Sequence, residues 1–382
     1  MALPLDGLLV LDFAQFLAGP AAALRLADLG ARVIKIERPD GGEAGRGLKL
    51  ADLSLDDDSL LFHTVNRNKQ GVTANLKDPA DLERVMRLVA RADVLIQNFR
   101  PTVMARLGLD YPSARARNPR LIYGTVTGYG SAGPWAAKPG QDLLAQSLSG
   151  LPWLTGDRDD PPTAFGLSVA DLLAAAHLTQ GILACLVRRG STGEGGLVEI
   201  SLMESILDLQ FESFTTYLND RTKLPIRGAA GSASAYLGAP YGIYPTADGF
   251  VALAMCPIPA LGRLLGLPAL LAYEDPASWF DSRDEIKAQL ASRLATRPTA
   301  DWLEILEPAD VWCADVLTWP RLLEHEGFRG LEMVQRVSRA NGASLLTTRC
   351  PIRIDGQILT SPVAAPSLGE HNAAVWGEGS PP

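Results

Sequence analysis

The chain of 382 residues has 35 lysines and arginines against 43 aspartates and glutamates, a formal net charge of −8, and 47% of its residues are hydrophobic. This length predicts a large hydrophobic core and two domains, and the composition is that of a soluble globular protein. The acidic balance, with no basic run, excludes nonspecific binding of nucleic acid, so an anionic ligand needs a local cluster of basic side chains.

Strand and helix patterns alternate along the first part of the chain. The apolar run at residues 8–13 predicts a buried parallel strand, and a helix is predicted at residues 21–29, where Gly30 ends it. The pattern continues with a strand at 32–37, a strand at 72–76, a helix at 81–90, and strands at 94–97 and 121–127. This alternation predicts a doubly wound α/β fold with a parallel sheet, in a Rossmann-like large domain. The first turn has no G-x-G-x-x-G fingerprint, so we do not expect it to bind NAD.

The later chain predicts a smaller α+β domain. A long buried helix is predicted from residue 166 to beyond residue 182, then a strand at 197–202 and a helical stretch at 204–218. Residues 222–238, rich in Gly, Ala and Ser, predict a linker or mobile loop, and residues 241–255 predict a hairpin. Residues 257–306 are mainly helical in pattern. We therefore expect a large domain at 1–205, a linker and helix at 206–237, a small domain at 238–337, and a segment at 338–382 that returns to the large domain.

The cysteines and histidines indicate no metal site. The four residues of each type are scattered along the chain without metal-ligand spacing, which is typical of free thiols in a reducing cytoplasm. The first seven residues lack the basic segment of a signal peptide. The apolar stretch at residues 167–186 is interrupted by Asp, Ser, His and Gln, so we expect no membrane span and a cytoplasmic protein.

Asp171 is the most informative residue, because it is a lone carboxylate near the start of the long apolar helix. An ionised buried carboxylate costs several kcal/mol unless something stabilises it, and the free N–H groups of a helix N-terminus are one stabiliser. Capping that helix is the simplest interpretation of an isolated aspartate at this place. A catalytic carboxylate is the alternative.

Nine segments, in order along the chain, resemble the family III CoA-transferases, the formyl-CoA transferase group. They are residues 11–20, 26–39, 66–69, 92–101, 118–124, 128–134, 166–182, 192–195 and 365–371. The resemblance implies an interlaced homodimer that moves coenzyme A from an acyl-CoA thioester to a free carboxylic acid. It also implies that Asp171 is the nucleophile. The expected partners are therefore acyl-CoA, a small carboxylic acid and a second copy of the chain, with neither nucleic acid nor membrane.

A carboxylate nucleophile divides such an exchange into steps through covalent intermediates. Asp171 would form a mixed anhydride with the acyl group, then an aspartyl-CoA thioester, and the acceptor carboxylate would reverse these steps. Because Asp is ordinarily ionised at neutral pH, we expect no general base. The exchange needs no metal or redox group, so no cofactor is expected to be bound permanently. Both intermediates hydrolyse, so water must be kept out, and residues 227–238 are a candidate lid or a plain linker.

The resemblance also implies a binding site for coenzyme A, whose phosphates need cationic partners. The residues at matching positions are Leu17, Ala18, Arg38, Val72, Thr73, Asn75, Asn98, Phe99, Arg106 and Lys138. Gln15 and Gln141 are candidates on the substrate side. Arg67 and Lys69 are further basic candidates from the sequence alone, whereas Asp12 and Glu37 lie in core-like runs and are expected to be structural.

Two departures from the family pattern leave alternatives open. Leu17 replaces the glutamine of formyl-CoA transferase, which favours a more apolar acyl group than formyl or oxalyl. An α-methylacyl-CoA racemase is the first alternative, but it needs a histidine base where this chain has Gln141, and Gln cannot accept and return a proton. We expect nearby His177 to be packed rather than catalytic. A non-catalytic CoA-binding protein is the second alternative, although it would not need Asp171.

Overall fold

A six-stranded parallel sheet organises the computed structural model, which describes residues 3–377. Its strands are β1 (Leu9–Asp12), β2 (Arg32–Glu37), β3 (Gln70–Thr73), β4 (Val94–Gln97), β5 (Ile122–Thr127) and β6 (Gly196–Ser201). Their order across the sheet is β3-β2-β1-β4-β5-β6, and all neighbouring pairs are parallel. The order reverses between β1 and β4, as in doubly wound proteins. The predicted α/β fold with a parallel sheet is confirmed.

The segments between these strands are mainly helical. The helices are α1 (Ala18–Asp28), α2 (Leu60–Asn66), α3 (Pro79–Val89), α4 (Val103–Arg106), α5 (Tyr111–Arg117), α6 (Asp142–Ser149), α7 (Val169–Thr192) and α8 (Leu202–Leu209). Helix α1 is followed by Gly30, which has φ of 109° and where a Cβ atom would come within 2.5 Å of Leu3. Because only glycine fits there, the sequence ends the helix at the predicted place.

The predicted strand at 72–76 begins and ends earlier, as β3. Asn75 already belongs to the turn before α3, since its N–H donates to the Asp81 carboxylate at 2.7 Å and its carbonyl accepts from Asp78 N–H. Asp78 then caps α3 through the N–H groups of Ala80 and Asp81 at 2.8 and 3.3 Å. These local hydrogen bonds take the backbone out of the strand before residue 76.

Helix α7 is the one described helix, within residues 3–377, that is long and apolar enough to cross a membrane by length and composition. It packs against α1, α8, β5 and β6, and Ala174, Leu178 and Ile182 on it are buried. Since the core helix of a soluble protein passes the same test, this helix is weak evidence for a membrane span.

The chain forms two compact units. The first comprises Met1–Ala145, Ser168–Leu209 and Gly330–Pro382, as far as residues 3–377 are described. The second comprises Gln146–Leu167 and Gln210–Arg329. The sequence predicts domain limits at residues 205, 237 and 337. These limits remain a prediction.

The second unit has an antiparallel sheet and its own core. The sheet contains β7 (Gly242–Pro245), β8 (Phe250–Leu253) and β9 (Cys313–Asp315) in the order β9-β8-β7. Its helices are α9 (Phe211–Asn219), α10 (Ile258–Leu265), α11 (Ser278–Asp281), α12 (Arg283–Leu294), α13 (Thr299–Leu306), α14 (Trp319–Glu324) and the start of α15 (Glu326–Leu331). The core packs Val251, Leu290 and Trp302 together. The helical stretch predicted at 204–218 is therefore two helices, α8 and α9, which meet at Gln210.

The C-terminal part of the first unit has the hairpin β10 (Val334–Ser338) with β11 (Ser344–Thr348), and ends in α16 (Asn372–Trp376). The remaining short elements are the strand pairs Ser54–Leu55 with Asp58–Ser59 and Arg353–Ile354 with Gln357–Ile358, and the 3-10 turns Ala44–Gly47, Leu151–Trp153, Pro268–Ala272 and Glu307–Ala309.

Candidate functional site

The turn between β1 and α1 lies at the point where the strand order reverses. Gln15 N–H donates to Asn98 Oδ1 at 2.8 Å, and Asn98 Nδ2 donates to the Gln15 carbonyl at 2.7 Å. This pair joins the ends of β1 and β4. In doubly wound sheets, ligands bind outside the carboxyl ends of the strands at this reversal. The structure therefore brings predicted residues Gln15, Leu17, Ala18 and Asn98 together where a ligand is expected.

Buried charged side chains form hydrogen bonds with the backbone of this turn. The Asp12 carboxylate accepts from Ala14 N–H at 2.9 Å, Glu43 accepts from Phe16 N–H at 3.0 Å, and Lys35 Nζ donates to the Ala14 carbonyl at 2.5 Å. Burial opposes ionisation of Asp12, but the positive charges of Lys35 and Lys69 outweigh it and hold its pKa below the usual range. Because several polar groups of the backbone are fixed in this way, the turn is rigid. As predicted, Asp12 has a structural environment.

Arg67 and Lys69 lie inside the protein, so their prediction as basic candidates for a phosphate is wrong. Lys69 Nζ donates to the Asp12 carboxylate and to the Pro20 carbonyl, each at 2.8 Å, and its burial lowers its pKa to about 8. Arg67 forms a two-point ion pair with Asp28 at 2.5 and 2.9 Å. Both cations neutralise buried carboxylates and are inaccessible to a ligand.

A cavity of about 250 Å³ opens at the carboxyl ends of β1 to β4. Four of the predicted site residues, Gln15, Arg38, Asn75 and Phe99, line it. Apolar side chains supply much of the remaining wall, and Lys77 adds a second cation. Arg38 Nε donates to the Gly42 carbonyl at 2.7 Å, which orients the guanidinium beside the cavity. Glu37 and Glu43 also line the cavity, but Glu37 is paired with Arg46 and Glu43 accepts from Phe16 N–H. An aromatic ring, two amides and two cations around an apolar hollow suit a nucleotide.

Val72 and Thr73, two of the predicted site residues at the end of β3, are engaged within the protein. Val72 is fully buried in the core. The N–H, hydroxyl and carbonyl of Thr73 all bond to α16, through Asn372 at 2.9 and 2.8 Å and Trp376 at 3.2 Å. A second, more open cavity of about 410 Å³ adjoins this contact and is lined by Thr73, Arg84 and Trp376 among others.

Arg106 and Lys138 are exposed, Arg106 at the end of α4 and Lys138 in the loop after β5. The two ends of that loop meet, because Gly128 and Gly140 are in contact. A Cβ atom on Gly128 would lie 2.5 Å from Gly140 Cα. The pinched loop delivers the next residues, Gln141 and the start of α6, to the end of β5. Gln141 is exposed, and its side-chain oxygen accepts from Leu143 N–H at 3.0 Å.

Asp171 is the third residue of α7 and lies at the same edge of the sheet as the cavity. The chain leaves α7 through Gly193, which has φ of 75°, and enters the parallel strand β6, so α7 runs antiparallel to the strands. Leu178 contacts Gly124 in β5. Asp171 precedes Leu178 by seven residues, which is about 10 Å along the helix. The end of β5 lies three residues beyond Gly124, which is also about 10 Å along the strand. Asp171 is therefore level with the carboxyl end of β5.

A second carboxylate caps α7. Asp142 Oδ1 accepts from the N–H groups of Ala170 at 2.7 Å and of Asp171 at 3.3 Å, while Ser168, the residue before the helix, makes no side-chain cap. Burial, and then the negative charge of Asp142, raise the pKa of Asp171 from 3.8 to about 7. Asp171 is therefore only partly ionised at neutral pH, which corrects the expectation of full ionisation. The capping role first considered for Asp171 belongs to Asp142.

Asp142 was missed as a site residue. Its signal was present in the triplet Gly140-Gln141-Asp142, of which only Gln141 was selected. His177 lies six residues, about 1.7 turns, further along α7 than Asp171. It contacts Ser205 Oγ at 3.0 Å through Nδ1 and Asp208 at 3.2 Å through Nε2, so it is packed between α7 and α8.

The candidate lid, residues 227–238, is tied down within the second unit at its N-terminal end. The buried Arg227 guanidinium donates to the carbonyls of Thr155 at 2.5 Å and Arg158 at 3.3 Å, and also to that of Asp160. Ser232 N–H donates to the Asp157 carboxylate at 2.8 Å. Later in the segment, the Ala235 carbonyl accepts from Arg283 at 2.9 Å, so the whole segment is bonded to the second unit. In residues 3–377, no group of three or more His, Cys, Asp or Glu side chains is arranged to hold a metal ion.

The fold and the site define an α/β protein with a ligand cavity at the reversal of strand order and a buried carboxylate along the same edge. The family model described as CoA-transferase family III matches residues 5–372. Succinate–glutarate CoA-transferase of Agrobacterium fabrum is 32% identical over 386 residues, covering 98% of this chain and 95% of that protein. Acetyl-CoA:oxalate CoA-transferase of Acetobacter aceti is 35% identical over 318 residues, covering 81% and 79%. A CAIB/BAIF family protein from Brucella suis has a similar crystal structure, with a TM-score of 0.83, 31% identity, and coverage of 99% and 100%.

The chain belongs to CoA-transferase family III. It is an acyl-CoA:carboxylate CoA-transferase, an enzyme that moves coenzyme A between acyl-CoA and carboxylic acids. The predictions of this family and of this reaction are confirmed.

Proposed function

We propose that the enzyme transfers coenzyme A with Asp171 as its covalent nucleophile. The observation that supports this proposal most is the partly buried carboxylate of Asp171, at the head of α7 and level with the end of β5. Its pKa of about 7 leaves enough of the ionised form at neutral pH, and a carboxylate of raised basicity is a stronger nucleophile.

The proposed steps balance without a metal or a redox group. An Asp171 oxygen attacks the thioester carbonyl of the donor, the C–S bond breaks, and the CoA thiolate leaves a mixed anhydride behind. The thiolate then attacks the Asp171 carbonyl carbon, which releases the donor acid and forms an aspartyl-CoA thioester. The acceptor carboxylate repeats these two steps in reverse and restores Asp171. No net proton is consumed, so His177 needs no part in the reaction.

We propose that the nucleotide of coenzyme A occupies the 250 Å³ cavity, with Arg38 at its phosphates, Phe99 against the base, and Asn75 as a polar partner. Asn98 is proposed to act beside the cavity, where it holds the Gln15 backbone. The exposed cations Arg106 and Lys138 are proposed as further phosphate contacts. Leu17 and Ala18 are proposed to contact the ligand through the backbone at the start of α1. Leu17 caps none of the first N–H groups of this helix with its side chain, so these groups can donate to a ligand. Val72 and Thr73 are proposed to support the end of β3 beside the cavity, since Val72 is buried and Thr73 is bonded to α16.

Gln15 and Gln141 are proposed on the substrate side, and Leu17 favours an apolar acyl group. By their names, the two relatives act on succinate, glutarate, acetyl-CoA and oxalate. The donor panel in any test must therefore include both apolar acyl and dicarboxylic acyl groups.

We also propose the interlaced homodimer, with a Rossmann-like large domain and a smaller α+β domain, in the cytoplasm. Large apolar side chains remain exposed in the single chain, including Val187 on α7 at 79% and, in the second unit, Phe211 at 66% and Leu224 at 57%. Exposed apolar side chains of this size are the kind that a second copy of the chain would cover. Light scattering should give twice the chain mass, and a monomer would contradict this proposal.

Intact-protein mass spectrometry after incubation with a panel of acyl-CoAs tests the nucleophile. With hydroxylamine or borohydride trapping, we expect an adduct that maps to Asp171 in the wild type. In Asp171→Ala we expect no adduct and no exchange, with affinity for CoA changed by no more than about threefold. Asp110→Ala is a matched control, since Asp110 caps α5 through Ser113 N–H and should leave the adduct unchanged.

Near-normal turnover by Asp171→Ala would contradict the proposed role. Absence of any adduct, with solvent deuterium entering the α-carbon of a branched acyl-CoA, would favour the racemase instead. Binding of CoA with neither adduct nor exchange would favour a non-catalytic protein.

A further inference from the structure

Asp142 contacts α7 where a helix normally caps itself. The carboxylate is 5% exposed and reaches two N–H groups in the first turn of α7, although it lies 28 and 29 residues away in sequence. An acidic residue at the third position of a helix, as Asp171 is here, commonly turns back onto N–H groups of the first turn. Because Asp142 occupies the N–H groups of Ala170 and Asp171, those two groups are not free to neutralise the carboxylate of Asp171.

Most other charged groups on elements packed against α7 have partners of their own, and Glu199 is exposed. These groups are Arg25 and Asp28 on α1, Glu199 on β6, Glu204 and Asp208 on α8, and His177 on α7 itself. Arg25 and Asp28 pair with each other, and Asp28 also pairs with Arg67. Asp208 contacts His177, and Glu204 accepts from Ser201 Oγ at 2.5 Å. The charge that raises the pKa of Asp171 is that of Asp142.

We propose that Asp142 is a positioning residue for the transfer reaction, which holds the first turn of α7 and keeps the Asp171 carboxylate turned away from the helix and available for attack. This inference rests on the proposed nucleophilic role of Asp171. It has two separable parts. The hydrogen bonds to Ala170 and Asp171 fix the geometry, and the negative charge keeps Asp171 basic.

Three variants separate these parts. Asp142→Asn keeps an oxygen that can accept from both N–H groups but removes the charge. We expect a folded enzyme. Its acidic limb, the fall of kcat/KM at low pH as Asp171 becomes protonated, should lie at lower pH than in the wild type, because no neighbouring anion opposes the ionised form of Asp171. Asp142→Ala removes both parts, and we expect kcat to fall about 10- to 100-fold, with the KM for the CoA ester changed by no more than about threefold. Asp142→Glu keeps the charge but displaces the oxygens, so its pH limb should stay near that of the wild type while kcat falls.

Asp78 is a closely matched control. It caps α3 through two successive N–H groups at 2.8 and 3.3 Å, almost the distances that Asp142 makes. Asp78→Asn and Asp78→Ala are expected to leave the pH limb and kcat unchanged. Circular dichroism and thermal melts on all variants show whether each is folded.

An unchanged acidic limb in Asp142→Asn, together with kcat of Asp142→Ala within about twofold of wild type, would overturn the inference. If Asp142→Ala does not fold, the pH limb of Asp142→Asn decides alone. The companion variant Asp171→Ala keeps the two claims distinct. Full activity in Asp171→Ala would remove the proposed nucleophile itself, whereas an inactive Asp171→Ala beside normal Asp142 variants would remove only the positioning role.

Discussion

Replacing Asp171 by asparagine should stabilise the folded protein above neutral pH. The substitution keeps the size and shape of the side chain and removes a charge that the fold disfavours. The structure disfavours this charge through burial first and the nearby anion Asp142 second, and the pKa of Asp171 rises from 3.8 to about 7. A charged residue that is costly for stability is typical of a functional site.

The magnitude follows from that pKa. A rise of about three pH units, at about 1.4 kcal/mol each, disfavours the ionised form by about 4 kcal/mol. The side chain is only partly buried, and allowing for solvent screening we expect about 2 kcal/mol. Between pH 4 and 7 the folded state holds a proton that the unfolded state has lost, so the wild type loses stability as pH rises through this window. Above pH 7 the whole difference is present, and below about pH 4 it vanishes.

Urea denaturation of wild type and Asp171→Asn at pH 5, 6, 7 and 8, at one protein concentration, measures this difference. The gain in Asp171→Asn should grow through the series and level off near pH 8. Asp248→Asn is a control of opposite sign, because the Thr299 N–H holds the pKa of Asp248 below its usual range, so this variant should lose stability at pH 8. If Asp171→Asn were no more stable than wild type at pH 8, or its gain did not depend on pH, the proposed cost of the Asp171 charge would be refuted.

Two further predictions concern the cations. Arg38→Ala should raise the KM for CoA esters more than it lowers kcat, because Arg38 lines the cavity and does not contact the Asp171 carboxylate. Steady-state kinetics measures both constants, with Arg91→Ala as a surface control. A fall in kcat equal to the rise in KM would contradict this prediction. Lys69→Met should destabilise the fold by about 3–5 kcal/mol, because it leaves Asp12 buried with less compensating charge. Urea denaturation beside the exposed control Lys49→Met measures the second effect, and equal midpoints in both variants would refute it.

The strands were predictable because their signal is local. Residues 32–37 and 94–97 are the bounds of β2 and β4, since short apolar runs between polar turns identify buried strands. Helix α1 begins at Ala18 rather than residue 21, because Gly19 and Pro20 lie in its first turn. A proline is tolerated there, since the first N–H groups of a helix have no partner within it. The break between α8 and α9 at Gln210 has no comparable mark in the sequence.

The site was less predictable because its electrostatics depend on partners distant in sequence. Lys69 and Arg67 look like surface cations until Asp12 and Asp28, which lie 57 and 39 residues away, are seen to neutralise them. The same limit applied to Asp171. Its position on an apolar helix predicted that a stabiliser was needed, but not that another carboxylate would take the helix N–H groups and raise its pKa. The resemblance to the family predicts Asp171 as the nucleophile, which stays a proposal, and only the fold gives the state of ionisation of this carboxylate.

The two halves of the proposed site suit a ligand with the form of coenzyme A. The cavity lies at the carboxyl ends of β1 to β4, and Asp171 is level with the end of β5. β1 and β5 are separated by two strand spacings, about 10 Å, and α7 lies in the layer beyond the sheet. A ligand must therefore carry its recognition group at one end and its reacting carbonyl at the other end of a long flexible arm. Coenzyme A has this form, with a nucleotide at one end and a thioester at the other, so affinity and reaction are assigned to separate residues. This separation is why substitution of Arg38 should change KM, while substitutions of Asp171 and Asp142 should change kcat.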